Sequence, residues 1–265
     1  GLDQALARGW VVVATDYTGL GTPGPHPFLI GQGEARSVLD AVRAARQLPG
    51  LTLADRTLVW GHSQGGNAAL WAGIIAPTYA PDAGLLGVAA LAPGSDLVPL
   101  ARDWGSGVFA AYLIQAYSQT YPDVHLDRYV GTAARIPVHE LAGRCLADPK
   151  FVMSGLTALL FGRSIWATDP GTGPAGARLR ENTPTGPIGV PVLVAQGLAD
   201  TTVPAAVQAG YVRDRCGAGA RVDYRTYSGR DHVGLIAPGS PLIPDLLQWS
   251  QDRLDGAPDR STCPA

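Results

Sequence analysis

The run Thr57-Leu58-Val59-Trp60-Gly61-His62-Ser63-Gln64-Gly65-Gly66 constrains this chain more than any other stretch. Four strand-forming residues lead into Gly-x-Ser-x-Gly, and a small-residue segment of helical character follows at 67–72. A strand, a sharp turn and a helix in that order hold a serine on a strained turn, with its hydroxyl exposed at the top of a sheet. Gly61 and Gly65 are expected to leave room where a side chain would collide with strand or helix. The helix N-terminus favours developing negative charge beside Ser63. Ser63 therefore reads as a nucleophile, against the alternative of a Gly/Ser turn before an ordinary helix.

The rest of the chain supplies a sheet for that turn. Short apolar runs at 10–15, 57–60, 85–91 and 190–195 have the length and continuity of buried parallel strands, and 222–227 reads as a fifth strand. Helical stretches separate them, at 2–8, 33–48, after Ser63 as far as Pro77, at 203–215 and at 241–254. In 33–48, Ala35, Val38, Leu39, Val42, Ala45 and Leu48 form one apolar stripe. Strands alternating with helices predict an α/β fold, a mostly parallel sheet flanked by helices. At 265 residues one such core is the expected size. The alternation fails over 97–187, where only helix-like pieces occur (97–117, 126–134 and the strongly apolar 150–167), with a Gly- and Pro-rich return linker at 168–187. The expected organisation is an α/β core of residues 1–96 and 188–265, with 97–187 inserted as a helical cap or lid.

Serine hydroxyl is a poor nucleophile at neutral pH and needs an adjacent base, commonly a histidine oriented by a carboxylate. Chemistry in parallel sheets sits beyond the strand C-terminal ends. Asp16, Ser63, Asp200 and His232 all follow expected strands and occupy that edge. The chain order Ser, acid, His selects His232 as base. His26 and His62 precede or adjoin the serine, and His125 and His139 fall in the cap. Asp200 is the acid, with Asp231 the competitor. A tetrahedral intermediate needs two donors aimed at its oxyanion. The backbone N–H of Gln64 is one, and the turn at Asp16 and Tyr17 is the candidate for the other. The apolar cap piece reads either as a buried helix or as the wall of an acyl-chain pocket, with Phe151, Leu160 and Trp166 as candidate substrate contacts beside Tyr17.

Composition excludes other classes. A formal charge of −2 leaves no electrostatic footprint for nucleic acid. No apolar run reaches the ~18 residues of a transmembrane helix. Three cysteines are present. A bridge between Cys216 and Cys263 would pin the C-terminal tail, close a loop of roughly 48 residues, contribute ~4 kcal/mol in the chain-entropy model and imply an oxidising compartment. The alternative is three free thiols; with the bridge Cys145 is left over, either as a free thiol or with a partner upstream of Gly1.

Taken together, Asp-Tyr-x-Gly-Leu-Gly at 16–21, Gly-His-Ser-Gln-Gly-Gly at 61–66, Tyr-Ala-Pro at 79–81, Gly-x-x-Asp-x-x-Val-Pro at 197–204 and Asp-His at 231–232 resemble the secretory lipases, the lipase A-like branch of the α/β-hydrolases. The resemblance implies a secreted esterase or lipase with a helical lid, a triad of Ser63, Asp200 and His232, and an oxyanion site at Asp16 together with Gln64. It also implies strands ahead of the run at 10–15, so further chain before Gly1, or a reduced sheet, is expected. The chemistry implied is acyl transfer from carboxylic esters, lipids and lipid interfaces among the partners, with no metal and no cofactor. A peptidase of the same fold and a non-catalytic lipid-binding relative are the alternatives.

Overall fold

A computed structural model describes residues 1–105, 107–145 and 164–264. Along the chain the elements are α1 (Leu2–Leu6), α2 (Gly31–Arg46), β1 (Thr57–His62), α3 (Gln64–Tyr79), β2 (Leu85–Leu91), α4 (Leu97–Asp103), α5 (Val108–Thr120), α6 (Leu126–Tyr129), α7 (Arg135–Ala142), α8 (Gly173–Asn182), β3 (Val192–Gly197), α9 (Ala205–Gly217), β4 (Val222–Tyr227) and α10 (Leu242–Leu254). The four strands pair in sequence order, β1-β2-β3-β4, all parallel. By contact, the described chain divides into two compact units.

The first unit comprises Gly1–Tyr17, Gly31–Ser95 and Pro184–Ala265. Its two central strands, β2 and β3, are buried on both faces, and successive side chains alternate between the faces. Val88, Ala90, Val192 and Val194 point into one cluster with the apolar stripes of α2, α3 and α9. Ala89, Leu91, Leu193 and Ala195 point the other way, onto Leu242, Leu246 and Trp249 of α10. Of the stripe expected on α2, Ala35, Leu39 and Ala45 are buried and Val38 and Val42 pack against the core, whereas Leu48 lies beyond the helix end at Arg46 and is exposed, with no described element to cover it. The helix after the elbow runs through Pro77 and ends at Tyr79. A proline this near the C-terminus removes only one backbone bond, so the helix lasts two residues more.

One expected strand is absent. Residues 10–15 are not strand, and Val11, Val12 and Val13 are 46–48% exposed. An apolar run becomes a strand only when a neighbouring chain satisfies its N–H and C=O groups, and no described residue pairs with this one. Trp10 instead packs edge-on against Trp60, their centroids 6.1 Å apart.

Cys216 and Cys263 are bonded, and Cys145 is free and exposed. The bond draws the tail along the open edge of β4. There the Thr262 N–H donates to the Val222 carbonyl (2.8 Å), and the Thr262 hydroxyl accepts from the Tyr224 N–H (2.9 Å). Covering an edge strand in this way removes a template for unwanted pairing. Cys263→Ser should lower the unfolding free energy by about 3–4 kcal/mol, read from denaturant midpoints. A loss under about 1 kcal/mol would show that the tail's hydrogen bonds hold it unaided.

The second unit comprises Thr18–Ile30 and Asp96–Thr183. It is helical, and buried Leu100, Leu113, Tyr117, Val138 and Leu179 are part of its interior. The expected helix at 97–117 is two, α4 and α5, with Trp104 and Gly105 between them. The linker expected at 168–187 contains α8, whose start carries Pro174 in its first turn and is tied to α6. The Tyr129 hydroxyl accepts from the Ala175 N–H (3.1 Å) and donates to the Thr172 carbonyl (3.0 Å). Glycine and proline at 171–176 mask a helix that long-range packing stabilises. Trp166 donates from Nε1 to the Ala101 carbonyl (2.8 Å) and lines a small apolar pocket with Leu113, Ile114, Tyr117 and Leu179. Phe151 and Leu160, and most of the apolar piece at 150–167, lie outside the described residues.

Candidate active site

Ser63 sits between β1 and α3 with φ 57° and ψ −117°. A non-glycine residue there costs roughly 1–3 kcal/mol and persists only where the surroundings enforce it. The surroundings are visible. The Ser63 N–H donates to the Leu91 carbonyl (2.9 Å), and the Ser63 carbonyl accepts from Gly66, Asn67 and Gly94. The buried Asn67 side chain donates to the Gly94 carbonyl (2.8 Å), fastening the elbow to the chain leaving β2. A Cβ on Gly61 would overlap the Gly65 carbonyl oxygen, and one on Gly66 would come within 2.8 Å of Pro93. Gly65, expected to be crowded, would meet only the Tyr17 hydroxyl, at 3.7 Å. The steric demand thus falls on Gly61 and Gly66.

Three side chains from separate strand ends meet in one hydrogen-bonded row. His232 Nε2 lies 2.8 Å from Ser63 Oγ, and His232 Nδ1 lies 2.7 Å from Asp200 Oδ2. A carboxylate only accepts, so Nδ1 carries the proton and Nε2 is left to accept from the serine hydroxyl. Asp200 is buried, and each of its oxygens is met twice. Oδ1 accepts from the Thr202 and Val203 N–H groups (both 2.8 Å). Oδ2 accepts from His232 and from Gln196 Nε2 (3.1 Å). Burial acts to raise the Asp200 pKa, but the bonds from His232, Val203 and Thr202 outweigh it and hold the carboxyl below its ordinary value. Its stabilising contribution is therefore present above pH 3.8, the ordinary value, and is lost as pH falls through the folded value. Asp231 instead accepts from the Gly234 N–H (2.6 Å) and caps its own loop.

Gln64 supplies the first residue of α3, where backbone N–H groups have no partner within the helix. Its side chain donates to Glu34 Oε1 (2.7 Å), a carboxylate almost wholly buried on α2. Tyr17 comes up to the elbow, and burial together with the charge of Glu34 raises its pKa. Asp16 is exposed, its carbonyl accepting from the Thr15 hydroxyl (3.2 Å).

Sequence reasoning missed Glu34, Gln196 and His62. Two carried a signal: Glu34 stands one turn before Val38 on an apolar stripe, and Gln196 interrupts an otherwise apolar strand. A polar residue on a buried face is there for a partner. His62 was legible only as the residue before the serine. It donates from Nε2 to the His232 carbonyl (2.9 Å), and the two rings lie 4.5 Å apart. Burial first and then the neighbouring His232 lower its pKa from 6.5 to about 4, against smaller opposing effects of the carbonyl bond and Asp200. Between those values the unfolded chain binds a proton that the folded chain refuses. Native stability should therefore fall as pH drops from 6.5 to about 4, by up to about 3 kcal/mol from this group. Thermal unfolding across that interval, with His62→Gln as the comparison, tests this. Parallel losses in the two proteins would show that other groups dominate.

The model of the secretory lipase family matches residues 2–167. This chain belongs to the secretory lipase family. The proteins similar to it include Lipase 5 of Candida albicans, 26% identical over 97% of this chain and 58% of that protein. A probable inactive lipase of Mycobacterium tuberculosis is 27% identical, with the same coverages. The chain thus spans somewhat over half the length of these relatives. Among solved structures, Candida antarctica lipase A in its closed state superposes with a TM-score of 0.76 at 21% identity, over 99% of this chain and 62% of that one. The likeness shows the fold, that of the α/β-hydrolases.

Proposed function

We propose that this secretory lipase homologue hydrolyses carboxylic esters through an acyl-enzyme on Ser63. The observation that carries the reading is the unbroken row from Asp200 through His232 to Ser63. His232 Nε2 takes the hydroxyl proton as Ser63 Oγ attacks the ester carbonyl carbon. Asp200, acceptor-only and already bonded to Nδ1, stabilises the imidazolium. The oxyanion is met by the Gln64 N–H at the start of α3, with a second donor from the turn of Asp16 and Tyr17. The imidazolium returns its proton to the departing alcohol. Water, deprotonated by the same nitrogen, then attacks the acyl carbonyl, and collapse of that second intermediate releases the acid and restores the serine hydroxyl.

Lipid esters are the substrate class this reading favours. The secretory lipase family supports that class, and Tyr17, an aromatic side chain, stands at the elbow itself. The disulfide and the family support action outside the cytoplasm. No described helix is long and apolar enough to cross a membrane. The relative described as probably inactive favours one other reading, a lipid-binding protein without turnover. A fluorophosphonate probe separates the two. Covalent labelling at Ser63, located by peptide mass spectrometry, is the expected result, and a protein left unlabelled overturns the hydrolase reading. Rates on p-nitrophenyl esters of increasing acyl length, with a peptide substrate beside them, then test lipase against short-chain esterase and peptidase.

A further inference from the structure

His62 is a partly buried titratable group in contact with the reacting histidine, and the acyl-transfer scheme gives it no task. We propose that His62 is a positioning residue: its Nε2–H anchors the main chain of His232 to the end of β1 and so sets the aim of the catalytic imidazole. The inference rests on the acyl-transfer reading and adds a residue to it.

Sheet order creates the need. Ser63 follows β1 and His232 follows β4, and these are the two edges of a four-stranded sheet. Three strand spacings, roughly 14 Å, separate them. The segment after β4 must therefore cross the ends of β3 and β2 before its imidazole can meet the serine. The first part of the crossing is fastened at β3. The Leu198 N–H donates to the Tyr227 carbonyl (3.0 Å), and the Ala199 N–H donates to the Arg230 carbonyl (2.9 Å). The far part is fastened by Leu235, fully buried beneath the sheet, and by the bond from its N–H to the Asp231 carbonyl (3.0 Å). Between these points the His232 carbonyl meets one group of β1, the imidazole of His62 at 2.9 Å.

Histidine suits that position chemically. A carbonyl accepts only, so the bond places a proton on His62 Nε2. The charged groups facing the ring are His232 and Asp200. A lysine or arginine donor would set a permanent positive charge against the imidazolium that forms on His232. Burial and the neighbouring ring keep His62 neutral down to about pH 4, so it supplies the donor without the charge. The 43° tilt between the two rings adds a contact that limits rotation of His232.

The test compares His62→Phe, which keeps a ring and loses the donor, with His62→Gln, whose amide can still donate. Misplacement of a reacting group by about 1 Å costs on the order of 10²-fold in rate. The phenylalanine variant should lose roughly 10- to 100-fold in kcat with KM changed less than about twofold, and the glutamine variant should recover to within about threefold of the parent. Should His62→Phe fail to show cooperative unfolding, His62→Asn replaces it, its amide being too short to reach the carbonyl, with the same loss expected. A donor-free variant that folds and keeps the parent kcat overturns the inference. So does a glutamine variant as impaired as the donor-free one, and so does a loss confined to KM. Fluorophosphonate labelling of the parent protein is run alongside. An unlabelled parent sinks the acyl-transfer reading itself, whereas a labelled parent with unaltered variants sinks only the role given to His62.

Discussion

Ser63→Ala should reduce kcat for ester hydrolysis by about 10⁴- to 10⁶-fold while leaving a folded protein. The size of the loss follows from what remains. Without Oγ no acyl-enzyme can form, and His232 can act only on a water molecule that nothing holds in place. The Gln64 N–H and the binding surface persist, so a residue of catalysis over water is retained. Folding should survive, because the Ser63 contacts that hold the elbow are made by its backbone N–H and carbonyl. Alanine at φ 57° carries strain comparable to serine's. Steady-state kinetics with thermal unfolding as the folding check gives the answer. A variant retaining more than about a tenth of the parent rate would reject Ser63 as nucleophile.

Asp200→Asn should cost about 10⁴-fold in kcat, and the structure dictates the reason. Asp200 Oδ1 accepts from two backbone N–H groups, at Thr202 and Val203. An asparagine must place its oxygen there, because an amide NH₂ would face two donors. Its NH₂ then takes the place of Oδ2 and points at His232 Nδ1 and at Gln196 Nε2. The ring can accept from that NH₂ only by moving its proton to Nε2, the nitrogen facing Ser63 Oγ at 2.8 Å. A protonated Nε2 cannot take the serine proton. The variant is therefore a correctly placed imidazole in the wrong tautomer, and fluorophosphonate labelling should slow in step with kcat. Equal rates in parent and variant would reject Asp200 as the orienting acid. A loss of labelling together with loss of cooperative unfolding would assign Asp200 to structure instead.

What could be read along the chain and what could not divide by the range of the forces involved. Elements defined by their own residues were legible. The expected strands at 85–91 and 222–227 are strands over those residues, and Ala35, Leu39 and Ala45 of the expected stripe are buried. The elbow was legible because the residues that make it are consecutive. Elements defined by a neighbour were not. Residues 10–15 have strand composition, yet no ladder partner among the described residues, and they stay outside the sheet. The three glycines and one proline of 171–176 argue against a helix, and packing overrides them in α8. Glu34, Gln196 and His62 show the same limit at the site, since each has a partner at least four and up to 170 positions away in sequence.

By itself the sequence determined the chemistry on offer: a serine in a turn tight enough to require Gly61, an acid and a histidine at later strand ends in the order Ser, Asp, His, and the motifs of the secretory lipases. Only the tertiary structure decided that these groups touch. Hydrogen-bond reach is about 3 Å, whereas Ser63 and His232 lie 169 residues apart in sequence. The sheet order that separates β1 from β4, and the crossing that returns His232 over the strand ends, convert that separation into contact.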